Sequence, residues 1–586
     1  MSEGYFAYIK RIVVPSLLVL AFALPALSQP RTDRKERKHE GAEHVIDTYW
    51  NALFTPERYS RALDEIARMP DEMDGKKASS LMAATRWEGI GPLAVRMSPT
   101  INFHGRIRAI RWYNNPLTGN LETFLGASSG GVWKDNFALV ARVWSSLGDN
   151  LPNPSVGALL VDPGEPNTMW VGTGDWRRYG GAGLFKTTNR GGTWTRARIT
   201  TADVLPFAIT GLEYGATRST MYMSSWNGFF RSTDGGESWS QRILGSSGAN
   251  VGIYNMVVDR QHPDTIYLSG GFARGFFKST NGGSSFTTIN NGIDLRRMGT
   301  TAPIAISQSS PNILYIAADD SSGGTGRIYK STDGGDNWNP TPAPLPYCAA
   351  GQSFHAHAIA VSPVDPNKVY VGSVGFIRSA DGGATWTWRE SGHSDITHIA
   401  FHPTDPNFVY VLSDGGIFVH TDASNTVRNN GEVFVPSAPI QAYALESAWS
   451  NQKVLVSGTQ DNGTLITERG GEQSEMWRSI GGCDGANTIA VHPLNPDLIF
   501  FNSWCGPSNP RLRTRTMGRS GNEDISRGLS EIYYTPIRMN KAGTNYLFTI
   551  TRTQLFLSKD EGESWLGATG AATDFGADEA PRSMIV

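Results

Sequence analysis

From Trp87 onward, the apolar residues of the chain fall in short runs broken at regular intervals by Pro, Asn, Asp and Gly. Two patterns alternate. In the first, an apolar run meets a Pro/Asn/Asp turn and a second apolar run follows, as in Val361-Ser362-Pro363-Val364-Asp365-Pro366-Asn367-Lys368-Val369-Tyr370 and again in Phe401 to Tyr410. Asp162 to Trp170, Gln261 to Tyr267 and Val491 to Phe500 repeat it. Such turn chemistry between apolar runs predicts a β-hairpin. The second pattern is a Gly-rich turn ending in an aromatic residue, Thr187 to Trp194, which returns at Ser232 to Trp239, Ser279 to Phe286, Ser331 to Trp338, Ser379 to Trp386 and Ser558 to Trp565. Its Asp or Asn stands at 189, 234, 281, 333 and 381, in steps of 45, 47, 52 and 48 residues. A fixed period of this length marks a repeat architecture with one supersecondary unit per repeat. Each unit reads as strand A, Pro-rich turn, strand B, Gly-rich loop, strand C, Gly-rich turn, strand D. Four antiparallel strands per unit make a propeller blade.

About ten A/B hairpins follow one another, the first near Ile107 and the last near Phe548. The expected fold is all-β, a β-propeller of about ten four-stranded blades over residues 86–586. It closes as one ten-bladed ring, or as a seven-bladed propeller plus part of a second. Arg582 to Val586 resemble strand A of a further, unfinished blade. In the recurring turn, the Asp or Asn accepts backbone N–H bonds, the glycines allow tight geometry and the Trp packs between blades. These acidic residues are expected to be structural.

The region before the repeats is different. Lys10 and Arg11 precede an apolar run, Ile12 to Leu27, and Ala26-Leu27-Ser28 offers small residues for cleavage, so residues 1–28 read as a signal peptide. The run is shorter than the ~20 residues that span a bilayer. Export, to a secreted, periplasmic or cell-surface location, is expected, with no membrane span after cleavage. Residues 29–85 read as a leader: a charged stretch, then Val45, Ile46, Tyr49, Trp50, Leu53, Leu63, Ile66 and Ala67 at the spacing of two short helices. Charge is balanced, with 52 Lys+Arg against 54 Asp+Glu, which argues against nucleic-acid binding.

The recurring turn resembles the Asp-box (BNR) repeats of sialidases, sortilin-type receptors and two-propeller xyloglucan-cleaving glycoside hydrolases. A group of secreted bacterial sortilin-like or glycosyl-hydrolase-like repeat proteins is similar in further motifs. These are Trp87 with Gly91-Pro92, Gly105-Arg106-Ile107, Gly130 to Lys134, Asp414 to Gly416, Gly458 to Gly463 and an altered Gly481-Gly482-Cys483-Asp484-Gly485. That group usually continues into more blades and a sorting segment, so the chain reads as truncated beside it. The resemblance implies a propeller fold and leaves function open. In the xyloglucan-cleaving family a catalytic Asp precedes the Gly-Gly of the first blade; Ser128 stands there instead. A sialidase would carry Arg-Ile-Pro where this chain has Arg106-Ile107-Arg108.

In an A–B–C–D meander the B–C and D–A loops emerge on one face, and candidate site residues are sought there. B–C loops carry Asp175, Trp176, Trp226, Asp414 and Gln460-Asp461-Asn462; D–A loops carry His355, His357, His393, Asp395, His398 and Asp484. Asp414, Asp461 and Asp484 are the candidate catalytic carboxylates. His393, Asp395 and Asp414 could ligate a cation, for which Ca2+ is the candidate. Trp176, Trp226, His393, Asp395, His398, Gln460 and Asn462 are the candidate ligand-binding residues, the Trp pair by stacking on sugar rings. Turn-capping Asp and channel-lining His residues are the plainer alternative. Cys483 and Cys505 lie equally far from the hairpin turn at Leu494, which predicts a disulfide across the strands and leaves Cys348 free. The leading expectation is a binding protein for polysaccharide or a surface polymer or protein. The alternatives are a glycoside hydrolase using these carboxylates and an assembly scaffold.

Overall fold

The computed structural model describes Val95–Arg96, Asn102–Phe103 and, with interruptions, residues 105–567; it divides into Met1–Thr85 and Arg86–Val586, and the described residues lie in the second unit. The expected signal peptide, the two leader helices, all three cysteines and the terminal strand fall outside the described residues.

Among the described residues, ten sheets follow one another, each built on a four-strand antiparallel meander. The first blade is Ile107–Asn114, Leu121–Ala127, Gly131–Phe137 and Arg142–Ser146. Most strands named B are buried along their length, as in Met169–Thr173, Met221–Ser225 and Leu314–Ala318, whereas several strands named D are exposed, as in Thr195–Arg196 and Thr287–Thr288. A strand B is covered on both faces by the neighbouring blades. Its sequence is therefore a continuous apolar run with no in-out alternation. The core is correspondingly a series of clusters between adjacent blades, such as Tyr222 and Phe229 of the third with Ile253, Leu268 and Phe277 of the fourth.

The recurring turn explains its own sequence. Ser232 Oγ donates to Asp234 Oδ1 (2.7 Å) and accepts from the Gly236 N–H (2.9 Å), while Asp234 Oδ1 accepts from the Ser238 N–H (2.9 Å). Gly235 and Gly236 take φ of 71° and 82°, a left-handed conformation that a side chain resists. The same bonds recur at Ser331/Asp333, Ser379/Asp381 and Ser558/Asp560. Accepting these bonds holds the Asp333 and Asp381 carboxyls down at about 2. In the ninth blade Thr516 replaces the acid: its Oγ1 accepts from Ser520 N–H at 3.1 Å.

Ring size is settled by the seventh blade (Ile396–Phe401, Phe408–Ser413, Gly416–Thr421, Val427–Arg428), which packs against the first. Ile107, Ile110, Leu125 and Trp144 share one buried cluster with Tyr410, Leu412, Ile417 and Val419, and Thr397 Oγ1 donates to the Ile107 carbonyl at 3.1 Å. Seven blades therefore close a ring, and three further blades follow, which decides against one ten-bladed ring. Inside the ring, Tyr254 of the fourth blade donates to the His357 carbonyl at the start of the sixth (2.7 Å). The eighth blade (Ala442–Ser447, Leu455–Thr459, Thr464–Thr467, Trp477–Gly481) has a two-strand extension: Val95–Arg96 pairs in parallel with Trp477 and Arg478. The segment preceding the first blade is thus tied to a sheet that follows the ring.

Candidate functional site

Where the seventh blade meets the first and the eighth, loops of one face converge on a charged cluster. Arg106 stands immediately before strand A of the first blade. Asp175 follows strand B of the second, and His355 precedes strand A of the sixth. Asp395 precedes strand A of the seventh, and Asp414 lies in its B–C turn. Asp461 lies in the B–C turn of the eighth blade. Asp395 and Asp461 hold φ of 60° and 57°. Such backbone is uncommon outside Gly, and Asp tolerates it better than most residues.

Arg106 organises the cluster. It is 6% exposed, and its Nε and Nη2 grip both oxygens of Asp414 in a fork, the Nε–Oδ1 distance being 2.5 Å. Nη2 also lies 2.9 Å from His355 Nε2, and Nη1 3.5 Å from Asp175 Oδ2. His355 Nε2 is 2.8 Å from Asp414 Oδ2. Burial would raise the Asp414 carboxyl, but the Arg106 charge and the His355 contact overcome it and hold the group well below the usual range. Asp461 goes the other way. Burial, a hydrogen bond shared with Asp414, and the negative charges of Asp414, Asp484 and Asp395 push it up to about 9. Burial, and then Asp414, also raise Asp395. One carboxylate is thus pinned ionised and its hydrogen-bonded neighbour keeps its proton at neutral pH.

The turn around Asp461 is anchored. Asn462 Nδ2 donates to the carbonyls of Asp414 (3.1 Å) and Gln460 (2.8 Å), and Asp484 Oδ1 accepts from the Asp461 N–H at 2.9 Å. Three acceptor oxygens in this turn, Gln460 Oε1, Asp461 Oδ2 and Asn462 Oδ1, are buried without a hydrogen-bond partner. Buried acceptors of this kind call for donors from a ligand or water.

Of the expected site residues, Asp395, Asp414, Asp461 and the flanking Asp484, Gln460 and Asn462 come together. Three expectations need correction. His393 is not placed as a cation ligand: its Nδ1 faces the Ser394 carbonyl (2.7 Å) and its Nε2 the Asp461 carbonyl (3.0 Å). His398 sits on strand A, where burial and then Arg111 and Arg108 push its imidazole down to about 3. It is absent from the cluster, in which His355 is the imidazole. Trp176 and Trp226 stack on each other, centroids 4.2 Å apart, with Tyr254 edge-on to Trp176. Gly271 packs so tightly on Trp226 that a Cβ there would lie 2.5 Å from the ring. One face of each indole is thus covered by the other.

Ligating atoms of His355, Asp395, Asp414 and Asp461 lie within 4.8 Å of one another, which suits a cation by composition. The donors do not fit one by geometry. Both Asp414 oxygens and His355 Nε2 already face the Arg106 guanidinium, which supplies the positive charge there. Arg106 was visible in the sequence as part of Gly-Arg-Ile, but nothing local marked it as the partner of Asp414, 308 residues away. Ser128, where the xyloglucan-cleaving resemblance places a carboxylate, is 2% exposed and donates to Asp175 Oδ2 at 2.7 Å.

The blades and the ring closure define a multi-blade β-propeller, similar in fold to that of a xyloglucanase. In sequence, the chain is similar to a probable oligoxyloglucan-reducing end-specific xyloglucanase of Neosartorya fischeri, 25% identical over 280 residues, 39% of this chain and 33% of the relative. It is also similar to the xyloglucanase Xgh74A of Acetivibrio thermocellus, 26% identical over 285 residues, 39% of this chain and 32% of the relative. The match spans about a third of these relatives' length. In structure it resembles the GH74 xyloglucanase of Xanthomonas campestris with a TM-score of 0.59 at 17% identity, covering 80% of this chain and 74% of that one. No protein-family model matches the chain. Among the described residues, no helix is long and apolar enough to cross a membrane.

Proposed function

We propose that the protein is an exported, polysaccharide-directed propeller whose Asp461 site hydrolyses glycosidic bonds, with Asp461 as the proton donor. Xyloglucan, named in its curated relatives, is the first polymer to test. The observation that carries this reading is the split ionisation across one hydrogen bond: Asp414 is held charged by Arg106, and Asp461 keeps a proton up to about pH 9. A carboxyl held protonated at neutral pH beside a pinned carboxylate is suited to donate a proton. A glycosidic oxygen replacing Asp414 as acceptor would receive the Asp461 proton. Asp414 is not the second catalytic group, because Arg106 and His355 occupy its oxygens and it lies too close to Asp461 to admit a sugar or water. Asp395 and Asp484 are the further carboxylates near the turn, Asp484 Oδ1 already accepting from the Asp461 N–H.

The test is release of reducing ends from xyloglucan by the wild type and Asp461→Asn. Loss of a positioned acid costs about 100-fold or more. The rate should also fall about tenfold per unit above pH 9, as the raised carboxyl ionises. A variant as fast as the wild type overturns the assignment. One observation favours a second reading, binding without cleavage: the hydroxyl of Ser128 stands where related hydrolases carry a carboxylate, and it is committed to Asp175. Retention on the polymer with no reducing ends released would select it.

A further inference from the structure

We propose that a groove beside His393, walled by Trp388, is a glycan subsite that extends the Asp461 centre outward along the sixth blade. The inference rests on the polysaccharide reading and adds to it where the polymer runs and that the polymer is uncharged.

The groove is shallow and open to solvent, has a volume of about 380 Å3, and includes Val374, Trp388, Arg389, Glu390, His393 and Ser394 in its lining. His393 joins it to the centre. The same imidazole that lines the groove places Nε2 at 3.0 Å from the Asp461 carbonyl, and the next lining residue, Ser394, precedes Asp395 of the cluster. The groove and the Asp461 turn are thus separated by one imidazole.

Trp388 lies on the outer strand of the sixth blade, opposite Ile377, and is 46% exposed. Packing does not require it. The positions of the same register in the third, fourth and fifth blades are Gln241, Thr288 and Pro340, opposite Phe230, Phe277 and Tyr329. The architecture thus tolerates small or polar residues there, and the one large aromatic side chain coincides with the groove. Val374, 39% exposed, adds apolar surface beside it. An open indole face matches the C–H face of a pyranose, while the ring N–H and nearby polar groups suit its hydroxyls. Arg389 and Glu390 contribute one charge of each sign, which suits a neutral polysaccharide. This also relocates aromatic recognition from Trp176 and Trp226, whose rings are given to each other.

The test is retention in affinity gels containing soluble xyloglucan, mixed-linkage β-glucan or polygalacturonate, run on the full chain as wild type, Trp388→Ala and Trp388→Phe, with melting curves for each. Covering an indole face removes roughly 60 Å2 of apolar surface from water, so Trp388→Ala should weaken retention on one neutral glucan about tenfold. Trp388→Phe should recover most of it, with no change in melting. Wild-type retention by Trp388→Ala, or retention on polygalacturonate alone, overturns the subsite and leaves the Asp461 assignment intact. Retention that depends on Trp388 without any bond cleavage supports the subsite and overturns the hydrolase reading. Hydrolysis of oligosaccharides with no retention of the wild type on either glucan does the reverse.

Discussion

Replacing Arg106 with Met isolates the central electrostatic claim. The guanidinium is buried and is the cation within hydrogen-bond reach of both Asp414 oxygens. Met keeps much of the side chain's bulk but leaves Asp414 ionised without its counter-ion, and Asp175 loses a contact at 3.5 Å. Removing one member of a buried ion pair costs about 3–5 kcal/mol, because the remaining charge stays desolvated. The ring from Ile107 to Arg428 holds about 320 residues. At ~2 cal/mol/K per residue its unfolding entropy is roughly 0.7 kcal/mol/K, so the melting temperature should fall by about 6 °C at pH 7. The pH dependence has a definite sign. The Asp414 carboxyl lies below its unfolded value, so the stability it contributes is present above about pH 4 and is lost as pH falls through its folded value. Removing Arg106 lets burial dominate, and the variant's Asp414 can take a proton in mild acid. The deficit should therefore shrink between pH 7 and pH 4.5 in scanning calorimetry. Asp414→Asn in the same background should recover part of it, a coupling above about 1.5 kcal/mol. A melting temperature within 1 °C of wild type at pH 7, or a deficit independent of pH, would refute the argument.

Three further outcomes follow from packing and from the turns. Gly458→Ala would set a Cβ 1.6 Å from the Ala486 carbonyl oxygen, with no flexible side chain to yield; a loss of about 3 kcal/mol is expected, read in urea unfolding. Thr397→Val deletes the bond to the Ile107 carbonyl where the ring closes, and should cost about 1 kcal/mol while speeding hydrogen exchange in the first and seventh blades ahead of the others. The Asp333 and Asp381 carboxyls, held at about 2 by bonds within their turns, favour the fold above about pH 4, and that contribution is lost as pH falls toward 2. Melting temperature should drop across that window, and Asp333→Asn with Asp381→Asn should flatten the drop; an unchanged slope would contradict the turn assignment.

Much of the fold was readable because its signals are local. Ser, Asp and Gly within one eight-residue turn bond to one another, so their spacing is a direct record of the hydrogen bonds. The hairpin turns are similar: Asp405 accepts within its own Pro-rich turn, from the Asn407 N–H at 3.1 Å. The turn of the ninth blade escaped because Thr516 performs with a hydroxyl what the other blades do with an acid or amide. Ring closure was not readable, since nothing in the sequence of the seventh blade marks its neighbour as the first. The site was legible in part for the same reason. Topology placed Asp395, Asp414 and Asp461 on one face, but it could not show that Arg106 would reach Asp414, that His355 would replace His398, or that two Trp residues would stack on each other.

Closure at seven blades is also what produces the site. In one continuous ten-bladed ring, the seventh blade would touch only the sixth and eighth, and three blades would lie between the blade of Asp414 and that of Arg106. Because the ring shuts early, the seventh blade faces the first on one side while its B–C turn meets the B–C turn of the eighth: the Asp414 carbonyl accepts from Asn462, and Asp461 shares a hydrogen bond with the Asp414 side chain. Arg106 arrives from the first blade and Asp461 from the eighth, so the charged and the protonated carboxyl are each perturbed from a different side of the closure. The parallel pairing of Val95–Arg96 with Trp477 and Arg478 ties together the two chain segments that bring them. Breaking that ribbon should loosen the Asp461 side of the cluster before it unfolds the ring. A Val95→Pro chain that keeps the ring's melting temperature while Asp461 titrates closer to an ordinary carboxyl would confirm that the site belongs to the junction rather than to either set of blades. An Asp461 that still titrates near pH 9 in that chain would show that the ring alone builds the site.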